Sequence, residues 1–113
     1  TNINRLMNAN PLQQSAATTP ALPALPGVPA NLVATGVSTS RISVSWDDVA
    51  DENFYEVYRS SNNNSNYVLF RTVPANTTSI SDSGLFANFI NYYKVRAVNN
   101  GGSTAFSNED SAR

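Results

Sequence analysis

A chain of 113 residues with 41% hydrophobic content can bury one two-layer core and has no material for a second. Its formal charge of −1, with 13% of residues charged, withholds the basic footprint that nucleic acid or an anionic membrane surface requires. Cysteine and histidine are both missing, which removes disulfides, thiolate chemistry, the commonest general base and the two commonest transition-metal ligands.

The chain divides at residue 28 into an N-terminal tail, 1–28, and a strand-rich region, 29–113. Residues 1–14 lack the charged start and apolar centre of a signal peptide, and no apolar run approaches the roughly 20 residues that span a bilayer. A first residue of Thr1 fits a processed or excised chain. Ile3, Leu6 and Met7 share the i, i+3, i+4 spacing of an amphipathic helical turn, with Asn2 as its cap. Pro20, Pro23, Pro26 and Pro29 then recur every third residue, the period of a polyproline II helix, which aligns Leu22, Leu25 and Val28 on one edge. A semi-rigid spacer explains the prolines. A leucine edge goes beyond what a spacer needs and marks a surface for another protein subunit.

From Pro29 onward the hydrophobic period becomes two. Leu32 and Ala34 begin a first strand. In Arg41–Asp47, Ile42, Val44 and Trp46 alternate with serines, so the only tryptophan faces a core. Asp47, Asp48, Asp51 and Glu52 follow; their spacing lacks the alternating ligands and central glycine of a calcium loop, and a solvated acidic turn is expected. Phe54–Arg59 forms a strand with Tyr55 and Val57 inward and Phe54, Glu56 and Tyr58 outward. A polar loop over 60–66 leads to a strand over 67–73, and a shorter strand covers 78–81 before Leu85 plugs the core from a turn. In Asn91–Val98, Tyr93, Val95 and Ala97 point inward and Tyr92, Lys94 and Arg96 outward. Asn99–Gly102 is a turn, and Ser103–Asn108 begins a last strand that decays into 109–113.

Seven short strands at hairpin spacing predict an all-β sandwich. Pro29-Ala30-Asn31-Leu32, Ile42-x-Val44-x-Trp46, Tyr55-Glu56-Val57-Tyr58-Arg59-Ser60, Asp82-Ser83-Gly84-Leu85, Tyr92–Asn99, Gly102-Ser103 and Phe106-Ser107-Asn108 together resemble a fibronectin type III domain of the bacterial secreted-protein kind. The resemblance implies an immunoglobulin-like sandwich of sheets A-B-E and C'-C-F-G, with Trp46 on strand B between them. The family often carries a tyrosine at the start of strand F, tying down the E–F turn; that position here is Asn91, so the tyrosine tie is not expected unless Asn91 caps the same backbone through its amide. The F–G turn holds no Arg-Gly-Asp, and integrin adhesion is not expected.

No nucleophile–base constellation, cofactor motif or metal-ligand set is visible, so no catalytic, cofactor-binding or metal-ligating residues are expected, and the chain is not expected to be an enzyme. Two roles compete. One is an extracellular structural or protein-interaction subunit of a filament or pilus, held through its N-terminal tail. The other is a spacer or accessory module of a secreted polysaccharide-acting enzyme or adhesin. Candidate partner-binding residues are Ile3, Leu6, Met7, Leu22, Leu25 and Val28 in the tail and Phe54, Tyr58 and Tyr92 on the outer face of the C–F sheet. For the last three, a glycan surface competes with a cross-strand ladder. Asn63-Asn64-Ser65 and Asn76-Thr77-Thr78 also fit the glycosylation acceptor pattern.

Overall fold

The computed structural model describes residues 21–113, and the helical turn expected at residues 3–7 lies outside them. The strands are β1 Val33–Ser38, β2 Arg41–Ser45, β3 Phe54–Ser61, β4 Val68–Pro74, β5 Ser79–Ser83, β6 Asn91–Asn99, β7 Gly102–Ser103 and β8 Asp110–Ala112. All pairings are antiparallel. One sheet has the order β1-β2-β5; the other runs β4-β3-β6, with β7 and β8 both on the free side of β6. This is the A-B-E and C'-C-F-G sandwich, with its final strand broken in two.

Period-two alternation sets the core. Ile42, Val44 and Trp46 from one sheet meet Tyr55, Val57, Tyr93, Val95 and Ala97 from the other, all buried. Trp46 lies one residue past β2, its amide still donating to Thr78 O, and its ring meets Tyr55 edge-on with centroids 5.6 Å apart. Leu85 packs partly buried against this core from its turn, anchored by a bond from its amide to Ser40 O.

In β4 the alternation is interrupted for a local reason. Val57 pairs with Arg71 and Tyr58 with Leu69, so Phe70 is an extra residue, a β-bulge. The bulge changes the parity of the strand, and Phe70 and Val73, three apart, both turn toward the core.

The last strand departs from the expectation of a run starting at Ser103. Between β7 and β8 the chain leaves strand geometry, yet its contact with β6 continues through hydroxyl groups. Thr104 N donates to Ala97 O, while Ala97 N donates to Thr104 Oγ1 over 3.1 Å. Ser107 N donates to Val95 O, and Val95 N donates to Ser107 Oγ over 3.0 Å. Each hydroxyl passes its own proton to the carbonyl of the next residue, Ala105 or Asn108. Two side chains thus stand in for strand carbonyls. Beyond them, Asn108 brackets the backbone N–H and C=O of Leu32, and Asp110 accepts from Ala34 N, which closes the sandwich along β1.

Asparagine carries the turns. Asn31, Asn62, Asn76 and Asn88 all adopt positive φ, between 56° and 68°, where a short amide side chain is tolerated better than any other non-glycine residue except aspartate.

Candidate interaction surfaces

The outer face of the larger sheet is fixed by the β3–β6 register, which sets Glu56 opposite Arg96, Tyr58 opposite Lys94 and Ser60 opposite Tyr92. Phe54, Tyr58 and Tyr92 all lie half-buried on this face, but none of the three rings stacks on another among the described residues. Tyr58 instead meets Phe106 edge-on, centroids 4.9 Å apart. Arg96 bonds Glu56 Oε1 at 2.8 Å, donates to the Tyr58 hydroxyl at 3.0 Å and lies 5.0 Å from the Phe106 centroid. Lys94 Nζ sits 4.1 Å from the Phe106 ring and 4.3 Å from that of Tyr67. Tyr67, Lys94, Phe106, Arg96, Tyr58 and Glu56 therefore interlock as one cation–aromatic ladder. Burial, with Glu109 beside it, pushes the Tyr67 phenol up to about 12. Phe106 was not singled out by the sequence, because it sits in the broken part of the last strand.

At the end of the sandwich that holds the β2–β3 loop, the acidic stretch is folded rather than simply solvated. Asp47 accepts from Asn31 Nδ2, Asp48 from the Tyr55 hydroxyl, and Glu52, buried, from Asn76 N at 2.9 Å. The Asn76 amide, oriented to donate, reaches Asp48 and Glu52 as well. Burial and the Asp48 bond hold the Tyr55 phenol well above the ordinary tyrosine range. These carboxylates serve turn donors. Among the described residues no three Asp, Glu, His or Cys side chains gather to hold a metal.

A buried ionic cluster ties β5 to the larger sheet. Asp82, 2% exposed, takes both oxygens to Arg59 Nη1 at 2.9 and 3.1 Å and accepts from the Tyr93 hydroxyl at 2.7 Å. Arg59 lies 4.2 Å above the Phe70 ring. Burial first, and the Asp82 bond second, raise the Tyr93 phenol strongly. Asn91 accepts from Ser61 Oγ instead of tying the E–F turn, and the Tyr93–Asp82 bond joins the two strands in its place. The sequence carried one overlooked signal: in Ser79–Ser83, alternation puts Asp82 on the inward face with Ile80.

Exposed apolar side chains lie on β1 at Val33 and Val37, on β4 at Val68 and Leu69, and in two further groups. Leu22, Leu25 and Val28 are 74, 50 and 51% exposed, so the leucine edge faces solvent, whereas Pro26 and Pro29 are buried. Phe86 and Phe89, in the loop before β6, form a tilted pair with centroids 5.7 Å apart beside a groove of about 350 Å³ that Arg59, Ser61 and Asn91 also line. Ile3, Leu6 and Met7 lie outside the described residues. No helix among the described residues is long and apolar enough to cross a membrane.

Comparison with known proteins adds relatives. The profile of the fibronectin type III domain matches residues 27–112. An alpha-amylase of Niallia circulans is 39% identical over 80 residues, 68% of this chain but 6% of the amylase, so the chain spans a small fraction of that relative's length. A solved Fn3-like protein from Clostridium thermocellum superposes with a TM-score of 0.67 at 29% identity, covering 78% of this chain and 92% of the other. The FN3 domain of human collagen XX superposes at 0.64 with 21% identity, covering 84% and 97%.

Proposed function

This chain belongs to the fibronectin type III family, and we propose that it serves as a non-catalytic spacer or accessory module of a larger extracellular protein, of the kind carried by secreted polysaccharide-acting enzymes and adhesins. The observation that carries the reading is the length relation to the amylase: one domain of this chain corresponds to 6% of a much longer enzyme. The geometry supports it. Asp82 and Tyr93 are buried in a structural tie, the outer aromatics interlock with each other, and the acidic loop caps turns.

A filament or pilus subunit is the second reading, favoured by the exposed Leu22, Leu25 and Val28 edge, which suits a protein partner. The two readings separate by the covalent size of the native polypeptide. An antibody raised against the sandwich, used on denatured secreted material from the source organism, should detect a chain far larger than 12.2 kDa. A chain near that mass, recovered by denaturing a high-molecular-weight assembly, would overturn the module reading in favour of the filament.

A further inference from the structure

A polyproline segment presents unusual demands to anything that holds it. It has no internal hydrogen bonds, its prolines offer no N–H, and its free carbonyls need donors. The β6–β7 turn supplies what such a backbone lacks. Asn99, 8% exposed, donates from Nδ2 to Ala24 O at 2.7 Å and to Asp51 O at 3.1 Å, while its Oδ1 accepts from Gly101 N at 2.7 Å. The last two bonds lock the amide in the orientation that serves the first.

Beside it lies a floor that only glycine can make. A Cβ on Gly101 would stand 2.2 Å from Pro23 O, a distance that side-chain atoms essentially never reach and that backbone cannot easily yield. Gly102 adopts φ 131°, and a Cβ there would meet Leu25 Cδ2 at 3.4 Å. Further along, Pro26 and Pro29 are buried while Gly27 and Val28 between them are exposed. The two buried prolines stand three residues apart, the period of the polyproline turn, while Pro23 ahead of them is exposed.

We propose that the Asn99–Gly102 turn is a polyproline-binding groove occupied in cis by residues 23–25, which fixes residues 21–29 to the domain as a rigid arm. The Asn-Asn-Gly-Gly sequence acquires a meaning beyond turn formation. Asn99 is the donor, Gly101 the gap into which the Pro23 carbonyl fits, and Pro26 and Pro29 are buried on the domain. Leu22, Leu25 and Val28 are thereby presented in a fixed direction. The inference concerns the arm itself and holds for either reading of the function.

The test is ¹⁵N relaxation on the full chain. The Ala24 and Leu25 amides should have order parameters near those of β3 and β6, about 0.85, and these should fall below about 0.6 in Gly101→Ala and in Asn99→Asp, with β3 and β6 unchanged. Asn99→Asp keeps the acceptor for Gly101 N and removes the donor to Ala24 O and Asp51 O, so it probes the groove's hydrogen bonds without filling the gap at Gly101. Free-chain values at Ala24 and Leu25 in the unmodified protein would overturn the proposal, whatever the variants do. So would an arm that stays ordered in both variants.

Discussion

The Tyr93 hydroxyl donates to Asp82 Oδ2 across 2.7 Å, joining a central strand of the larger sheet to the edge strand of the smaller one through the core. Arg59 takes the same carboxylate from β3, and Arg71 of β4 donates to Ser81 O nearby. At the opposite side of the sandwich, Asn108 and Asp110 reach the backbone of Leu32 and Ala34. Each open side is therefore closed by polar side chains, which also occupy backbone groups that edge strands would otherwise offer to other chains.

Breaking the Asp82 cluster should be costly in an ordered way. Asp82→Ala leaves the Tyr93 hydroxyl and part of the Arg59 guanidinium buried without their acceptor, a loss of roughly 3–5 kcal/mol. Tyr93→Phe removes one donor and leaves the ion pair, a loss of about 1–3 kcal/mol. Urea denaturation should rank Asp82→Ala well below Tyr93→Phe; equal midpoints would show that the hydroxyl, not the carboxylate, is the centre of the cluster.

Most strands and most of the core were legible because alternation survives wherever a strand has one dry face: Ile42, Val44, Tyr55, Val57, Tyr93 and Val95 could be placed from period two alone, whereas the order of the strands in two sheets rested on the resemblance to the fibronectin type III family. Features that break the period were not legible. Phe70 faces inward only because of a bulge, and no turn residue marks it. Thr104 and Ser107 read as ordinary residues of the last strand, since nothing in a hydroxyl announces that it will replace a strand carbonyl. The need that places Asn31, Asn62, Asn76 and Asn88 at positive φ was not legible either, since it is set by the local backbone of each turn. Of the candidate surface, the outward faces of Tyr58 and Tyr92 were readable, but the partner of Tyr58 was not, because Phe106 reaches it from a segment with no strand period. The proline period was readable too; which edge would dock was not, because the Asn99 donor lies about 75 residues away in sequence.

Alkaline pH should unfold the domain through its buried phenols. Tyr55, Tyr67 and Tyr93 all have folded-state values raised above the unfolded value of 10.0. Below about pH 10 both states keep these protons, and the groups make stability independent of pH. Above it the unfolded chain loses protons that the folded chain retains, so stability falls by up to about 1.4 kcal/mol per pH unit for each such group. Circular dichroism and phenolate absorbance followed together should show these three phenols ionising with the loss of structure. Their full ionisation near pH 10 in a chain that keeps its native spectrum would contradict the assignment.

Trp46 is 5% exposed, and its buried indole N–H meets no acceptor among the described residues. Trp46→Ala should cost about 3–5 kcal/mol, a large part of a typical domain stability of roughly 5–15 kcal/mol. Trp46→Phe should cost distinctly less, since it keeps the contact with Tyr55 and removes an unsatisfied donor. Wild-type fluorescence should be that of a dry indole; a water-exposed spectrum with a near-native melting point in Trp46→Ala would place the tryptophan outside the core.

The hydroxyls between β7 and β8 can be removed one at a time. Ser107→Ala takes the acceptor from Val95 N, and Thr104→Val that from Ala97 N, each a buried amide of the central strand, at about 1–3 kcal/mol apiece. Amide exchange should accelerate at Val95 in the first variant and at Ala97 in the second, with little crossover. Uniform acceleration across β6 would mean that the segment acts as a whole.

The final prediction decides whether the outer face is scaffold or binding surface. Tyr58 and Phe106 touch edge-on, and Arg96 lies over both rings, so Tyr58→Ala and Phe106→Ala should each lower stability and the double variant should lose less than their sum. A coupling energy of about 0.5–1.5 kcal/mol is expected for the ring pair. If the face is a ladder, Tyr92, which stands opposite Ser60 and shares no ring contact with Tyr58, should be additive with both. A glycan or protein surface would behave differently: Tyr58→Ala and Tyr92→Ser would leave the melting temperature nearly unchanged and weaken binding to an insoluble polysaccharide or to a partner in a pull-down. Additive, near-zero stability effects at Tyr58 and Phe106 would remove the ladder and return the aromatic face to the list of contact surfaces.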